Sequence, residues 1–523
     1  KNMMKNKILF GLLAMTAISA NGQETYENAN LMKPELTGTA RYIGMGGAME
    51  ALGADISTIS TNPAGIGLFR SSSVNISFGL SSQQDVTTYG ADHKTVPSFD
   101  QAGFVYSMRT NSNSFLNFAF NYSKSRNFNQ ILNAVGNLNG SSQNKLTYNK
   151  FASNDDFLYF DKDGTILSDY IQFSQLDYLY ANNINYEEDA DGNGTFYGYD
   201  GDAYDMYRAQ SGYIGRYDFN ISGNVNNRFY WGITVGLQDV HYNGFSDYIE
   251  TLGNSTVEVM DTRKITGNGV DIKAGIIFRP VAESPFRIGL SVSTPTWYKL
   301  KTSNYTSMSL LNSGVSQELY DPDSNESYEF KLYTPWKFGA SLGHTVGNNL
   351  ALGLSYEYAD YSTADTRVID GYDYYGNEES YSEYATNQHT KNTLKGVSTL
   401  KVGAEFKPDP ALAVRLGFNY VSPMYNKSGA KDGTLDSYGV FYQSQSDFTN
   451  WEDTYRVTAG LGYNIDRFNI DLAYQYSTTN GKFSPFYDYA DNMNADCLPN
   501  NNFEQCKVSN KRHQLMLTLG YRF

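Results

Sequence analysis

Phe468-Asn469-Ile470-Asp471-Leu472-Ala473-Tyr474-Gln475-Tyr476 decides the fold. Its even positions are Phe, Ile, Leu, Tyr and Tyr, and its odd positions are Asn, Asp, Ala and Gln. Strand side chains point alternately to opposite faces, so one face here is apolar and the other polar or small. The same alternation ends the chain. Leu515, Leu517, Leu519, Tyr521 and Phe523 share one face, against Met516, Thr518, Gly520 and Arg522. It recurs where Phe229, Trp231, Ile233, Val235 and Leu237 oppose Tyr230, Gly232, Thr234, Gly236 and Gln238. Tyr217, Phe219 and Ile221 likewise oppose Arg216, Asp218, Asn220 and Ser222.

Fourteen segments of this kind are predicted, at 71–82, 99–109, 114–124, 212–225, 228–241, 268–279, 286–298, 334–346, 349–361, 397–407, 411–422, 453–464, 467–479 and 511–523. A tilted strand crosses a bilayer with about 9–11 residues, whereas strands of soluble proteins average about 5–6. These segments are therefore long enough to span. Their connections alternate in length. Short turns fall near 110–113, 226–227, 280–285, 347–348, 408–410 and 466, and long loops near 83–98, 125–211, 242–267, 299–333, 362–396, 423–452 and 480–510. That rhythm is the signature of an even-stranded outer-membrane barrel, with short periplasmic turns and long outer loops. An even count puts both termini on the periplasmic, short-turn side. The fold class expected is all-β: a 14-stranded antiparallel transmembrane β-barrel.

In such a barrel the apolar face meets lipid and the polar face lines the lumen. The lumen-lining candidates are Arg216, Asp218, Glu357, Glu405, Arg415, Arg456 and Asp471, together with Asp271, Lys273 and Arg522. Tyrosines near strand ends (Tyr122, Tyr230, Tyr356, Tyr358, Tyr420, Tyr463, Tyr474, Tyr476) are expected in interfacial girdles. Composition agrees. The 523 residues include 47 Gly and 44 Tyr with only 18% charged residues, which is neither helical nor disordered in character. Forty Lys+Arg against 55 Asp+Glu give a net charge of −15, which argues against a nucleic-acid partner.

Residues 1–22 read as a signal peptide: Lys1, Lys5 and Lys7 precede the apolar run Ile8–Ile18, and small residues follow. Residues 23–70 do not alternate and are dense in Gly and Ala. Small residues let a backbone pack closely, so this segment is expected to form a hatch inside the lumen, ahead of a barrel at 71–523.

The segment carries Arg41-Tyr42-Ile43-Gly44-Met45-Gly46-Gly47-Ala48, then Asp55, then Asn62-Pro63-Ala64-Gly65. It resembles the FadL/TodX family of outer-membrane transporters for hydrophobic compounds, whose hatch ends in an Asn-Pro-Ala motif just before strand one. The resemblance continues through Thr334–Gly343, Val402–Phe406 and Val414–Phe418, and in the terminal Phe523, which resembles the signal read by the barrel-assembly machinery. It implies a fourteen-stranded barrel in the outer membrane, a hydrophobic small-molecule ligand such as a long-chain fatty acid captured among outer loops, and sideways release through the wall into membrane lipid. It implies no enzymatic activity. The enlarged acidic outer loops depart from the pattern. They support a rival reading, a surface scaffold or accessory subunit with an envelope protein partner.

Two further features lie in these loops. Asp189, Asp191, Asn193, Thr195 and Asp200 follow the spacing of a calcium loop, with Gly194 at its turn and Asp in place of the usual terminal Glu. A structural Ca2+ and a plain acidic, turn-rich loop are both compatible with that spacing. Cys497 and Cys506 share the last outer loop, and an exported chain meets an oxidising compartment, so a disulfide is expected. The five histidines, His93, His241, His344, His389 and His513, show no metal-ligand spacing.

Overall fold

The computed structural model describes residues 24–90, 92–152, 174–188, 194–253, 255–312, 315–320, 327–432, 444–487 and 500–523. Fourteen strands close into one antiparallel ring. They are β1 (Ser73–Gln84), β2 (Thr95–Asn111), β3 (Ser114–Asn127), β4 (Ala203–Val225), β5 (Phe229–Leu252), β6 (Ser255–Phe278) and β7 (Arg287–Ser293). They continue as β8 (Lys337–Val346), β9 (Leu350–Asp360), β10 (Gly396–Phe406), β11 (Leu412–Val421), β12 (Phe448–Ile465), β13 (Phe468–Ser484) and β14 (Cys506–Arg522). Each pairs with the next, and β14 pairs with β1 from Ser73–Arg522 to Gln84–Lys511, which leaves the ring without a free edge.

The faces follow the alternation. On β13, Phe468 is 58% and Leu472 40% exposed on the outside, while Asp471 is 5% exposed within. Exposed Leu, Ile, Val, Phe and Tyr recur on the outer face of every strand from β1 to β14, a continuous apolar belt. A closed barrel with an apolar outside and a charged inside is stable only with lipid around it, because in water the belt would stay hydrated. Two residues depart from expectation. Tyr230 is buried in the lumen rather than in a girdle, its hydroxyl donating to the Asn227 carbonyl at 3.0 Å. Arg522 is exposed at the short-turn rim.

Several of the long loops carry strands that extend the wall. Residues 242–267 belong to the β5–β6 ladder, which runs up to the pair Leu252–Ser255. Trp297–Asn312 continues β7 along β6, and Ser327–Tyr333 and Asp365–Tyr372 continue β8 and β9. Pro295 and Pro335 mark two of the breaks between wall and extension, since proline has no N–H for the ladder. The Thr296 and Thr334 groups bridge these breaks: Thr296 N donates to Thr334 Oγ1 at 2.8 Å, and Thr334 N to Thr296 O at 3.1 Å.

Residues 24–70 run through the lumen. α1 (Thr25–Met32) lies at the long-loop end, where the Tyr26 hydroxyl donates to Asn450 Oδ1 at 2.8 Å and Glu24 pairs with Lys431 at 3.0 Å. The chain then descends through α2 (Ala40–Gly44) to short 3-10 turns at Ile56–Ser60 and Pro63–Leu68 near the other end. Of the described residues, the first and the last lie at opposite mouths. Phe523 is on the short-turn side, its N–H bonded to Ser72 O at 2.9 Å, but Glu24–Met32 sit at the opposite mouth. The physical reason is the burial of Ala29, Leu31 and Met32 among Phe128, Tyr242, Tyr298, Phe330 and Val421, an apolar collar above the charged part of the lumen.

Candidate functional site

The lower half of the lumen is stoppered by backbone packed on backbone. Gly343, Gly353, Gly403 and Gly417 form one in-register row across β8, β9, β10 and β11. A Cβ at Gly353 would lie 1.8 Å from Ala48 O, one at Gly403 2.2 Å from Met45 O, and one at Gly417 2.1 Å from Gly46 N. The row has no side chains, and the plug's 45–52 turn fills the space they would occupy. The Asn62-Pro63-Ala64-Gly65 motif plays the same part on the facing wall. Asn62 Oδ1 caps the 3-10 turn by accepting from Ala64 N at 3.2 Å, Asn62 lies against Gly275, and the Pro63 carbonyl lies against Gly232.

Ion pairs fasten this contact. Glu405 accepts from Arg415 Nε at 2.6 Å and from plug Arg41 Nε at 3.0 Å, and Arg415 Nη1 donates to Asp471 Oδ1 at 2.6 Å. Lys401 Nζ donates to plug Glu50 at 2.7 Å. On the far wall Arg216 binds Asp218 at 2.8 Å and Asp271 at 3.3 Å, and Lys273 also pairs with Asp271. The expected lumen residues are thus brought into two clusters, Arg216–Asp218 with Asp271 and Lys273, and Glu405–Arg415–Asp471 with Arg41. Glu357 and Arg456 line the cavity between them.

That cavity has a volume of about 170 Å³ and lies above the plug. Its wall is polar and charged, including Lys33, Glu35, Arg126, Arg216, Asp271 and Lys401. Sequence reading missed Lys33, Glu35 and Arg126. The first two lie in a segment with no periodicity, and Arg126 lies beyond the alternating part of its strand.

The ladder between β2 and β3 ends early and leaves a seam, across which the Phe99 and Tyr122 rings stack at 5.7 Å. β2 and β3 pair only from Asn111–Ser114 up to Gln101–Ser123. Above that, Thr95–Ser98 and Phe99 remain on β1, while Lys124–Asn127 stay on β4, with a register shift between Lys124 and Arg126. Among the described residues, the outer edge of β2 from Thr95 to Asp100 has no strand partner. Ser123 and Ser125, beside the parting, line the cavity. Plug residue Glu35 reaches the seam, accepting from Asn127 N at 2.7 Å.

Of the calcium-spaced residues, Asp189, Asp191 and Asn193 lie outside the described residues. Thr195 belongs to the strand Gly194–Phe196, which pairs with Tyr186–Glu188, and Asp200 forms an ion pair with Lys145. Cys506 opens β14, and Cys497 lies outside the described residues, as do residues 1–22.

Fold and site together define a membrane-spanning β-barrel with an internal plug and a side seam. No protein-family model matches the chain, and no curated protein sequence matches it. Solved structures do. The Ralstonia pickettii toluene transporter TbuX is 12% identical over 93% of this chain and 99% of its own, with a TM-score of 0.47. A Pseudomonas aeruginosa FadL homologue is 13% identical over 97% and 99%, TM-score 0.47. The Pseudomonas putida toluene transporter TodX is 11% identical over 94% and 99%, TM-score 0.46.

Proposed function

We propose that this protein is an outer-membrane transporter for hydrophobic compounds, long-chain fatty acids foremost, which enter from the outer loops and leave sideways at the β2–β3 seam. The observation that carries this reading is the pairing of a stoppered lumen with a parted wall. A ligand above the plug has no straight path through it, and the seam lies beside the cavity. An apolar chain gains free energy by passing from water to lipid and none by crossing a charged channel. The apolar collar around α1 offers such a ligand its first dry contact at the long-loop mouth. In this reading the machinery recognising Phe523 inserts the barrel, and the plug stays in place during transport.

Gentle purification followed by lipid extraction and mass spectrometry tests the ligand. A bound amphiphile is expected, and a deletion strain should lose fatty-acid uptake. An empty lumen with unaltered uptake would sink the proposal. The rival scaffold reading draws on the exposed Tyr372, Tyr374, Tyr375 and Tyr384 around an outer hairpin. Stoichiometric envelope proteins in native-membrane affinity isolation, with no amphiphile, would favour it instead.

A further inference from the structure

Charges in this lumen are matched nearly everywhere. Arg216 and Lys273 face Asp218 and Asp271. Arg41 and Arg415 face Glu405 and Asp471. Lys401 faces Glu50, and Arg263 and Lys431 face Glu24 and Glu27. Such pairing is what burial demands, because an unpaired charge away from bulk water is costly.

One cluster breaks the rule. Lys33, Arg126, Arg456 and Arg512 gather around a single carboxylate, Glu35. Arg512 Nη1 donates to Glu35 Oε1 at 3.0 Å, and Arg126 Nη1 lies 3.5 Å from Glu35 Oε2. Arg456 finds neutral acceptors only: Asn419 Oδ1 at 2.7 Å and Pro34 O at 3.1 Å. Lys33 Nζ lies 5.2 Å from the Trp451 ring centre, with no carboxylate in ion-pair range among the described residues. At the margin stand Asp100 and Lys124, which cancel. Arg126 and Arg456 are only 7% and 6% exposed, and Arg126 Nε has no acceptor among the described residues. Burial and the charges of Arg126 and Arg456 push the Lys33 ammonium down to about 7. Three guanidinium groups, joined by the Lys33 ammonium below about pH 7, thus share one carboxylate in a chain whose net charge is −15.

Lys33, Glu35, Arg126 and Arg456 all line the 170 Å³ cavity, at the level where β3 parts from β2. We infer that this cluster is a binding site for a tetrahedral oxyanion of charge about −2, a phosphate or phosphate monoester. Glu35 already takes one guanidinium charge, so two remain, with Lys33 adding to them when protonated. A dianion answers that excess, and a monocarboxylate leaves at least half of it. Guanidinium forks give the parallel N–H pairs that phosphate oxygens accept, and the ammonium adds a point charge. The cavity is smaller than the roughly 300 Å³ that a whole drug-sized ligand needs, but it has room for such a group. The anion has two sources, free phosphate or the head group of an amphiphile whose tail lies in the seam. The second source rests on the transport reading, and the site itself does not.

The test is calorimetric titration of the full detergent-solubilised chain with inorganic phosphate, with a mono-acyl phosphate, and with a carboxylate of equal chain length. Saturable phosphate binding is expected, weakened at least tenfold in Arg456→Met and in Lys33→Met and retained in Lys33→Arg. Heat-modified gel mobility verifies that each variant is folded. If Arg456→Met does not fold, the Lys33 pair decides. Tighter binding of the acyl phosphate identifies a lipid head group as the source, and equal binding identifies the free anion. Affinity counted per phosphate dianion, corrected for the second ionisation of phosphate in the same range, should fall as pH rises from 6 to 8, as Lys33 loses its proton beside Arg126, Arg456, Arg512 and Glu35. Absence of phosphate binding, indifference to both substitutions, or equal affinity for the carboxylate overturns the assignment. None of these readouts depends on uptake, so the transport reading stands or falls separately.

Discussion

Replacing Gly353 and Gly403 by alanine should loosen the plug without opening the wall. The two residues pair directly across β9 and β10. Their new methyl groups would meet Ala48 O at 1.8 Å and Met45 O at 2.2 Å, where ordinary contact begins at 3.4 Å. The plug backbone would have to retreat by roughly 1.2–1.6 Å, more than rotamer changes absorb, because both colliding atoms are main-chain carbonyls. The Met45 carbonyl also accepts from Ala48 N at 3.1 Å, so moving it disturbs the turn itself. Overpacking costs about 1–3 kcal/mol per site, so the double variant should lose about 2–6 kcal/mol of plug contact. At about 1.4 kcal/mol per factor of ten, amide exchange within residues 40–68 should speed by roughly 30-fold to 20,000-fold. Exchange in β9 and β10 should change little, since their ladder bonds are untouched. Hydrogen-exchange mass spectrometry on the barrel in lipid nanodiscs reads both regions in one experiment. Unchanged protection of residues 40–68 in a folded double variant would refute the claim that backbone contact with the glycine row holds the plug.

Three further outcomes are expected. Arg415→Ala leaves Glu405 and Asp471 short of a buried cation and should cost about 3–5 kcal/mol, read as a lower unfolding temperature; Arg415→Lys should recover part of it. Leu472→Arg places a charge on the lipid face and should cost about 2–4 kcal/mol if that residue lies near the midplane, measured by refolding into vesicles. Burial lowers His389 below its usual range; its ring bonds Thr25 Oγ1 at 2.8 Å and Ala430 O at 2.8 Å, close to Lys431, Asp432 and Glu27. A histidine whose folded form resists protonation contributes stability above its unfolded value of about 6.5 and loses it as pH falls. Exchange protection of α1, corrected for intrinsic rate, should therefore decrease between pH 7 and pH 5, and His389→Gln should flatten that dependence.

All fourteen wall strands were legible because lipid enforces a strict alternation, as at Phe468 to Gln475. The strand extensions were not. Above the belt the buried face of β5 mixes apolar and polar residues, Tyr242, Gly244, Ser246, Tyr248 and Glu250, and so shows no apolar contrast with the other face. The lumen candidates were legible as the polar half of each alternation, but their partners were not. Arg41, Glu50, Glu35 and Lys33 come from a segment that folds only against the wall, and no local period announces it. The in-register glycine row was invisible for a different reason: register is a property of paired strands, and each glycine alone reads as an ordinary small residue.

That row is one part of a wider grip. Residues 24–70 precede β1, touch both mouths of the ring, and are gripped by walls on several sides. The ring is sealed by the β1–β14 pair, which joins the first wall strand in the sequence to the last. The enclosed segment fits as a mandrel fits a vessel whose girth the number and stagger of its fourteen staves set.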